Sequence, residues 1–225
     1  MPGLVVKPRA RIFHGHDWVY ASEIKKSFGN PSPGDVISLK DFKDRPLGSA
    51  IYNPASQIVA RRFSRRKQVL DRDFFGRRIE RALKYRQGLS RIDQELCRIA
   101  WSESDGLPGV VIDRYGEHVV LQTLTLGMNQ RIDIISEAIS ETFSPKGIIL
   151  RNDSPMRAAE GLSPETRLIA GEAPSQQHLD IDGISFTTDL MGGQKTGLYL
   201  DQLSNYRLVA EYASGQRVLD CFTNQ

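Results

Sequence analysis

The 225-residue sequence predicts an α+β chain: a small N-terminal β-barrel, then an α+β domain, then the opening of an α/β sheet. Three observations predict it. Short period-two apolar segments in the first seventy residues alternate with Pro-Gly and Asn-Pro turns. The middle of the chain runs strand, strand, helix, strand. The final residues, "RVLDCFTNQ", read as a buried strand entering a turn, the place where open α/β sheets bind ligands. A sheet's first strand has no neighbours to cover it, so the chain is expected to be a piece of a longer protein.

Taken in order, "LVVKP" reads as a strand, and "HDWVYASEIKKSFG" as a loop or short helix leading into another. Val36, Ile37 and Leu39, and then Ala50, Ile51 and Tyr52, are period-two segments between turns; closing them into a barrel removes exposed edges. A helix follows, with Asp73 as its expected cap, Phe74, Phe75, Ile79, Ala82 and Leu83 on one side, and Gly88 as a left-handed end. Asp105-Gly106 and Pro108-Gly109 demand turns, and "GVVIDRYGEHVVLQTLT" is a hairpin with Gly116 at its tip. "GMNQRIDIISEAISETF" reads as one helix with an apolar stripe of Ile132, Ile135, Ala138, Ile139 and Phe143. "KGIILRND" is a strand, and "HLDIDGISFTTDL" a hairpin turning at Asp182-Gly183. A helix beginning near Asp201 carries Leu203, Tyr206, Leu208, Val209 and Tyr212, and the strand Arg217–Phe222 ends the reading.

Composition is that of a soluble globular protein, 40% hydrophobic and 25% charged. No apolar run reaches membrane-span length, and the N-terminus has no signal-peptide core, so no membrane partner is expected. Cys97 and Cys221 lie far apart without metal-type spacing, which fits a reduced, cytoplasmic setting. The net charge is only +3, yet basic residues dominate from Arg61 to Arg91. This band predicts a polyanionic partner, with Arg61, Arg62, Arg65, Arg66, Arg77, Arg78 and Arg81 as the RNA-binding candidates. A solvated arginine-rich helix face accounts for the same residues.

"GGQKTGLYLDQLSNYR" is the most informative stretch. Its glycines permit a tight backbone path, Lys195 and Thr196 offer donors, and Asp201 and Gln202 stand where a helix starts. The order and spacing do not match a Walker A loop, and a glycine-rich linker before a capped helix explains the residues equally. His14, His16 and Asp17 lack a further ligand at metal spacing. Glu103 and Asp105 have the makings of an acid–base pair, but a turn explains them without catalysis. Trp18, Tyr20, Tyr52 and Phe63 are expected mostly to fill the barrel core rather than to stack on bases. Cys221 reads as a small buried core thiol.

"GDVISLKD", "YNPASQIVAR", "SESDGLPGVVIDRYGEHVVLQTLT", "GGQKTGLYLDQLSNYR" and "RVLDCF" occur in the order found in a family of bacterial ribosomal-RNA methyltransferases. The chain resembles the S-adenosylmethionine-dependent enzymes that methylate cytosine C5 in 23S rRNA, and the resemblance runs over essentially all of it. It implies a PUA-like RNA-binding barrel over 1–70, a central α+β domain over 71–185, and the start of a Rossmann-like methyltransferase domain over 186–225. It implies S-adenosyl-L-methionine as cofactor, ribosomal RNA as partner, and Lys195, Thr196, Tyr199, Asp201, Gln202 and Asp220 beside the cofactor. A homodimer stays open. The family's glycine turn, its Pro-Pro-type motif and its later catalytic cysteine find no counterpart in this sequence. No catalytic residue is therefore assigned here, and the chain by itself is expected to be inactive. The rival reading is an RNA-binding module that does no chemistry.

Overall fold

The computed structural model describes residues 1–90 and 92–221. Strands β1 (Gly3–Val6), β2 (Trp18–Val19), β3 (Ile24–Phe28), β4 (Val36–Lys40), β5 (Pro46–Tyr52) and β6 (Ala60–Ser64) form one sheet in the order β2-β6-β5-β4-β1-β3. β1 lies parallel to β4, and every other pair is antiparallel. Alternation sets the inward face: Ile37 and Leu39 of β4 are buried, while Val36, Ser38 and Lys40 between them stay partly open. They join Leu4, Val6, Val19, Ala50 and Ala60 in one apolar cluster. At Gly48 (φ +118°) a Cβ would fall 2.0 Å from the Ser64 carbonyl oxygen, so only glycine lets β5 and β6 close up there. The expected aromatic core filling is mixed. Phe63 is buried but faces away from this cluster, edge-on to Phe74 with ring centroids 5.3 Å apart.

Helix α1 (Arg72–Gln87) follows. Its cap is Asp71, whose carboxylate accepts from the Phe74 amide at 2.8 Å, and not Asp73. Asp73 falls in the first turn and pairs with Arg77 one turn on. Gly88 also departs from expectation, being right-handed (φ −76°), with its amide donating back to the helix carbonyls. The buried residues Phe74, Phe75, Ile79 and Ala82 recur at helical spacing and face the second core.

That core sits on a second sheet of β7 (Leu96–Trp101), β8 (Val110–Tyr115), β9 (His118–Thr123), β10 (Gly147–Asn152) and β11 (Glu165–Gly171), in the order β11-β10-β9-β8-β7. β9 and β10 are parallel; Gly116 (φ +62°) turns the β8–β9 hairpin as expected. The expected single helix between β9 and β10 is two, α2 (Leu126–Asn129) and α3 (Ile132–Phe143). The break falls at Arg131, whose φ and ψ (−120°, 18°) are not helical and whose guanidinium donates to the Gly127 and Gly34 carbonyls. α1 packs on α3, and both share the apolar cluster on one face of the sheet. β10 is buried throughout, which explains its unbroken apolar run.

The other sheet face carries Leu96, Tyr115, Val120 and Ile149, covered by the hairpin of β12 (Gln177–Ile181) and β13 (Ile184–Thr188) and by Leu190 and Leu203. The expected boundary at 185/186 falls inside β13. Helix α4 (Leu203–Ala213) buries Leu203, while Tyr206, Leu208, Val209 and Tyr212 of its expected apolar stripe are exposed. The terminal strand is corrected: residues 217–221 form no strand, because no described strand pairs with them. For the same reason Val218 and Leu219 are exposed, and Cys221 is exposed rather than a core thiol. Phe222 to Gln225, the rest of that expected strand and its turn, lie outside the described residues.

Candidate nucleic-acid cleft and adjoining cavity

A cavity of about 540 Å³ opens between β6, α1 and the 3₁₀ turn Ser102–Asp105. Arg62, Arg65, Arg78 and Arg81 of the expected RNA-binding set line it; Arg61, Arg66 and Arg77 do not. Helical spacing brings Arg78, Arg81 and Tyr85 to one face of α1. Gly106 (φ +71°) makes room for Arg78, since a Cβ there would lie 2.9 Å from one of its nitrogens.

The arginines have different fates. Arg61 is drawn inward: it donates to Glu103 Oε1 at 3.0 Å, reaches Glu160 at 3.6 Å, and stacks over Trp18 at 5.2 Å. Arg62 is buried and pairs with Asp17 at 2.6 Å. Arg77 is neutralised by Asp73, and Arg66 is exposed away from the cavity. Arg65, Arg78 and Arg81 have no carboxylate partner among the described residues; Arg78 donates instead to the Phe63 carbonyl at 3.2 Å. Burial, then the charges of Arg81 and Arg77, lower the Arg78 pKa from its ordinary value. Arg65 and Arg81 are exposed beside Arg78 on the cleft wall.

Glu103 and Asp105, the conceivable acid–base pair, are both committed to structure. Burial raises the Glu103 pKa, but hydrogen bonds from Ser102, from the Trp18 indole at 2.7 Å and from its own backbone, with the Arg61 charge, hold it below the usual carboxylate value. Asp105 takes both Nη groups of Arg86, at 2.5 and 2.8 Å. A general acid near neutral pH needs the opposite shift.

A second cavity, of about 1010 Å³, lies across the edge of the second sheet at β7 and β8 and is bounded by the segment 195–204. Lys195, Thr196 and Asp201 of the expected cofactor set line it; Tyr199, Gln202 and Asp220 are not among its lining residues. The segment is stapled to the sheet from below. Asp113, fully buried, accepts from Arg98 at 2.8 and 2.9 Å and from the Thr196 hydroxyl at 2.6 Å. The Tyr115 hydroxyl lies 2.9 Å from Thr196 Oγ1 and accepts from the Leu198 amide at 3.1 Å. Burial pushes the Tyr115 pKa up to about 12. Thr196 thus spends its hydroxyl inside the protein. Lys195 reaches Asp201 at 3.3 Å and sits over the Tyr199 ring at 4.0 Å. The Tyr199 hydroxyl donates to Gln194, and Gln202 accepts from Asn205. Burial raises the Asp201 pKa, but the Lys195 hydrogen bond and charge, its own backbone and Gln202 hold it below the ordinary value.

Three participants escaped the sequence reading: Tyr85, Trp101 and Arg98. Tyr85 was legible in the same helical spacing that joins Arg78 to Arg81. The Arg98–Asp113 pair spans two strands, and no spacing rule announces it.

Residues 5–65 match the family model described as "PUA-like domain". The chain is 35% identical over 223 residues to "Ribosomal RNA large subunit methyltransferase I" of Aeromonas hydrophila, covering 97% of this chain and 56% of that protein. It is 37% identical over 212 residues to the protein of that name from Shewanella denitrificans, covering 92% and 53%. Among solved structures, "A putative sam-dependent methyltransferase from Streptococcus mutans" superposes with a TM-score of 0.74 at 23% identity, over 93% of this chain and 54% of that one. "Crystal structure of SMU.776, a putative methyltransferase complexed with SAH" gives the same score and identity over 91% and 52%. The chain therefore has an N-terminal PUA-like domain in a mixed α+β fold shared with those structures, and it spans about half the length of the curated relatives it matches.

Proposed function

We propose that this chain is the RNA-docking and cofactor-facing part of an S-adenosylmethionine-dependent rRNA methyltransferase whose target is cytosine C5 in 23S rRNA. One observation carries the reading: Arg65, Arg78 and Arg81 crowd a cleft between a PUA-like sheet and α1 with no carboxylate partner among the described residues, since the cleft's own carboxylates, Asp17, Glu103 and Asp105, are paired with Arg62, Arg61 and Arg86. The similarity of nearly the whole chain to proteins named rRNA large subunit methyltransferase I supports it. Segments 1–70 and 71–185 are the proposed barrel and central portions and 186–225 the proposed methyltransferase portion, with the second boundary shifted past β13, which it would otherwise cut.

The residue types lining the second cavity suit the cofactor, but several are engaged within the protein. Leu198, Leu200 and Leu203 offer apolar surface to an adenine; Asp153 and Asp201 would meet a cationic ligand's ammonium or ribose hydroxyls, and Lys195 its carboxylate, only by opening the Arg151–Asp153 and Lys195–Asp201 pairs. When bound, the cofactor supplies an electrophilic methyl group. Attack from cytosine C5 needs a thiolate added at C6. Cys97 lines the cavity but does not provide it: burial pushes its thiol up to about 11, so it is neutral at physiological pH.

Deleting the corresponding gene and mapping methylated nucleosides in 23S rRNA by mass spectrometry tests the reading. Loss of 5-methylcytosine at one position is expected. Unchanged rRNA methylation overturns it, and loss of a different methylated nucleoside overturns the C5 assignment.

A further inference from the structure

The arginine cleft and the larger cavity meet. Tyr85 and Arg86 line both, so the two adjoin at the C-terminal half of α1, on either side of the Arg86–Asp105 pair. The two differ in chemistry. The cleft holds Arg65, Arg78 and Arg81, which have no carboxylate partner among the described residues and are suited to phosphates. In the cavity the cations are already committed, Arg86 to Asp105, Arg98 to the buried Asp113 and Lys195 to Asp201, and leucine, isoleucine and methionine side chains share the walls with the carboxylates Asp93, Asp153 and Asp201. Such a place repels phosphate and suits a base.

Two aromatic rings stand along the two with much of their surface open, Tyr85 (64% exposed) and Trp101 (48% exposed). Each carries a guanidinium over its ring, Arg86 at 5.4 Å on Tyr85 and Arg98 at 4.5 Å on Trp101. Arg98 is itself fixed by two hydrogen bonds to Asp113, which orients the pair. Open rings backed by arginine are the platforms on which unpaired bases stack, and duplex RNA offers no base faces to them.

We propose that the substrate segment is unpaired RNA, threaded from the arginine cleft across Tyr85, with a base seated in the second cavity against Trp101. This rests on the rRNA methyltransferase reading and deepens it. Lys195 and Asp201 line the same cavity, so a base at Trp101 shares one enclosure with the proposed cofactor-facing residues, as transfer between them requires.

The full chain is tested by titration with an unpaired oligoribonucleotide of about ten nucleotides, and with the same strand annealed into a duplex. Trp18 and Trp101 are the chain's two tryptophans, so Trp18→Phe, matched to the parent chain in thermal midpoint and RNA affinity because it removes the indole donor to Glu103, leaves Trp101 as sole reporter. Its fluorescence should be quenched by the single strand and little changed by the duplex. Tyr85→Ala and Trp101→Ala should each weaken single-strand binding about fivefold or more, with the salt slope unchanged, and Trp101→Phe should restore much of the loss. Both side chains are surface residues, and an unchanged thermal midpoint verifies that the variants fold. Single-strand binding with no quenching and no effect of either alanine overturns the threading proposal while leaving rRNA recognition intact. Preference for the duplex also overturns it. Failure of the chain to bind either RNA sinks the docking reading beneath it.

Discussion

Arg61 and Glu103 lie 3.0 Å apart, on β6 and in the turn after β7, and the contact ties the PUA-like sheet to the second sheet. Both ends are reinforced. The Trp18 indole donates to the same Glu103 oxygen, and Arg61 also reaches Glu160, whose carboxylate accepts from Asn53 at 2.8 Å and from the Leu126 amide at 3.3 Å. The network is largely out of water, so its members depend on one another.

Removing Glu160 therefore strands several donors at once. Glu160→Ala should destabilise the chain by about 2–3 kcal/mol, read as a lower urea midpoint at unchanged slope. Glu103→Gln keeps an acceptor for Trp18 and should cost less. If Glu160→Ala shifts the midpoint no more than an exposed control such as Glu80→Ala, the network does not hold the two sheets together.

The same residues mark how far the sequence could be read. Periodicity exposed the cores: the alternation of Ile37 and Leu39, the helical spacing of Phe75, Ile79 and Ala82, and the hairpin at Gly116 stand as expected. β11 was missed because it is an edge strand with Thr166, Arg167 and Leu168 all exposed, so its pattern lacks the alternation of a half-buried strand. Arg61 and Arg62 were legible as basic residues but not as partners of Glu103, Glu160 and Asp17, since charge pairing is a tertiary fact. The helix cap fell to Asp71 over Asp73 by a two-residue shift that composition cannot resolve.

The Tyr115 phenol gives a pH signature. Its folded pKa is pushed up to about 12 by burial, above an ordinary value of 10.0. The folded state then holds a proton that the unfolded chain releases, so the stability is full below pH 10 and is lost as pH rises toward 12. One tyrosinate should appear late in an ultraviolet titration, and Tyr115→Phe should remove both that step and its share of the alkaline loss. A Tyr115 titrating with the exposed tyrosines would contradict the buried hydroxyl.

Cofactor affinity should be low for this chain alone. Of the six expected contacts only Lys195, Thr196 and Asp201 line the cavity; Thr196 is spent on Asp113 and Tyr115, and Lys195 on Asp201. Calorimetric titration with S-adenosylmethionine should show no stoichiometric micromolar binding. Such binding would mean that the remaining groups suffice.

The central claim is that the cleft of Arg65, Arg78 and Arg81 docks RNA, and the salt dependence of RNA binding tests it most directly. Each phosphate contact on a single strand contributes about −0.7 to the slope of log binding constant against log salt. Arg65→Ala with Arg81→Ala should reduce affinity and flatten that slope by about 1.4, whereas Arg66→Ala with Arg77→Ala, outside the cleft, should change it little. An unchanged slope in the Arg65/Arg81 pair would contradict the account and leave the cleft a solvated arginine surface.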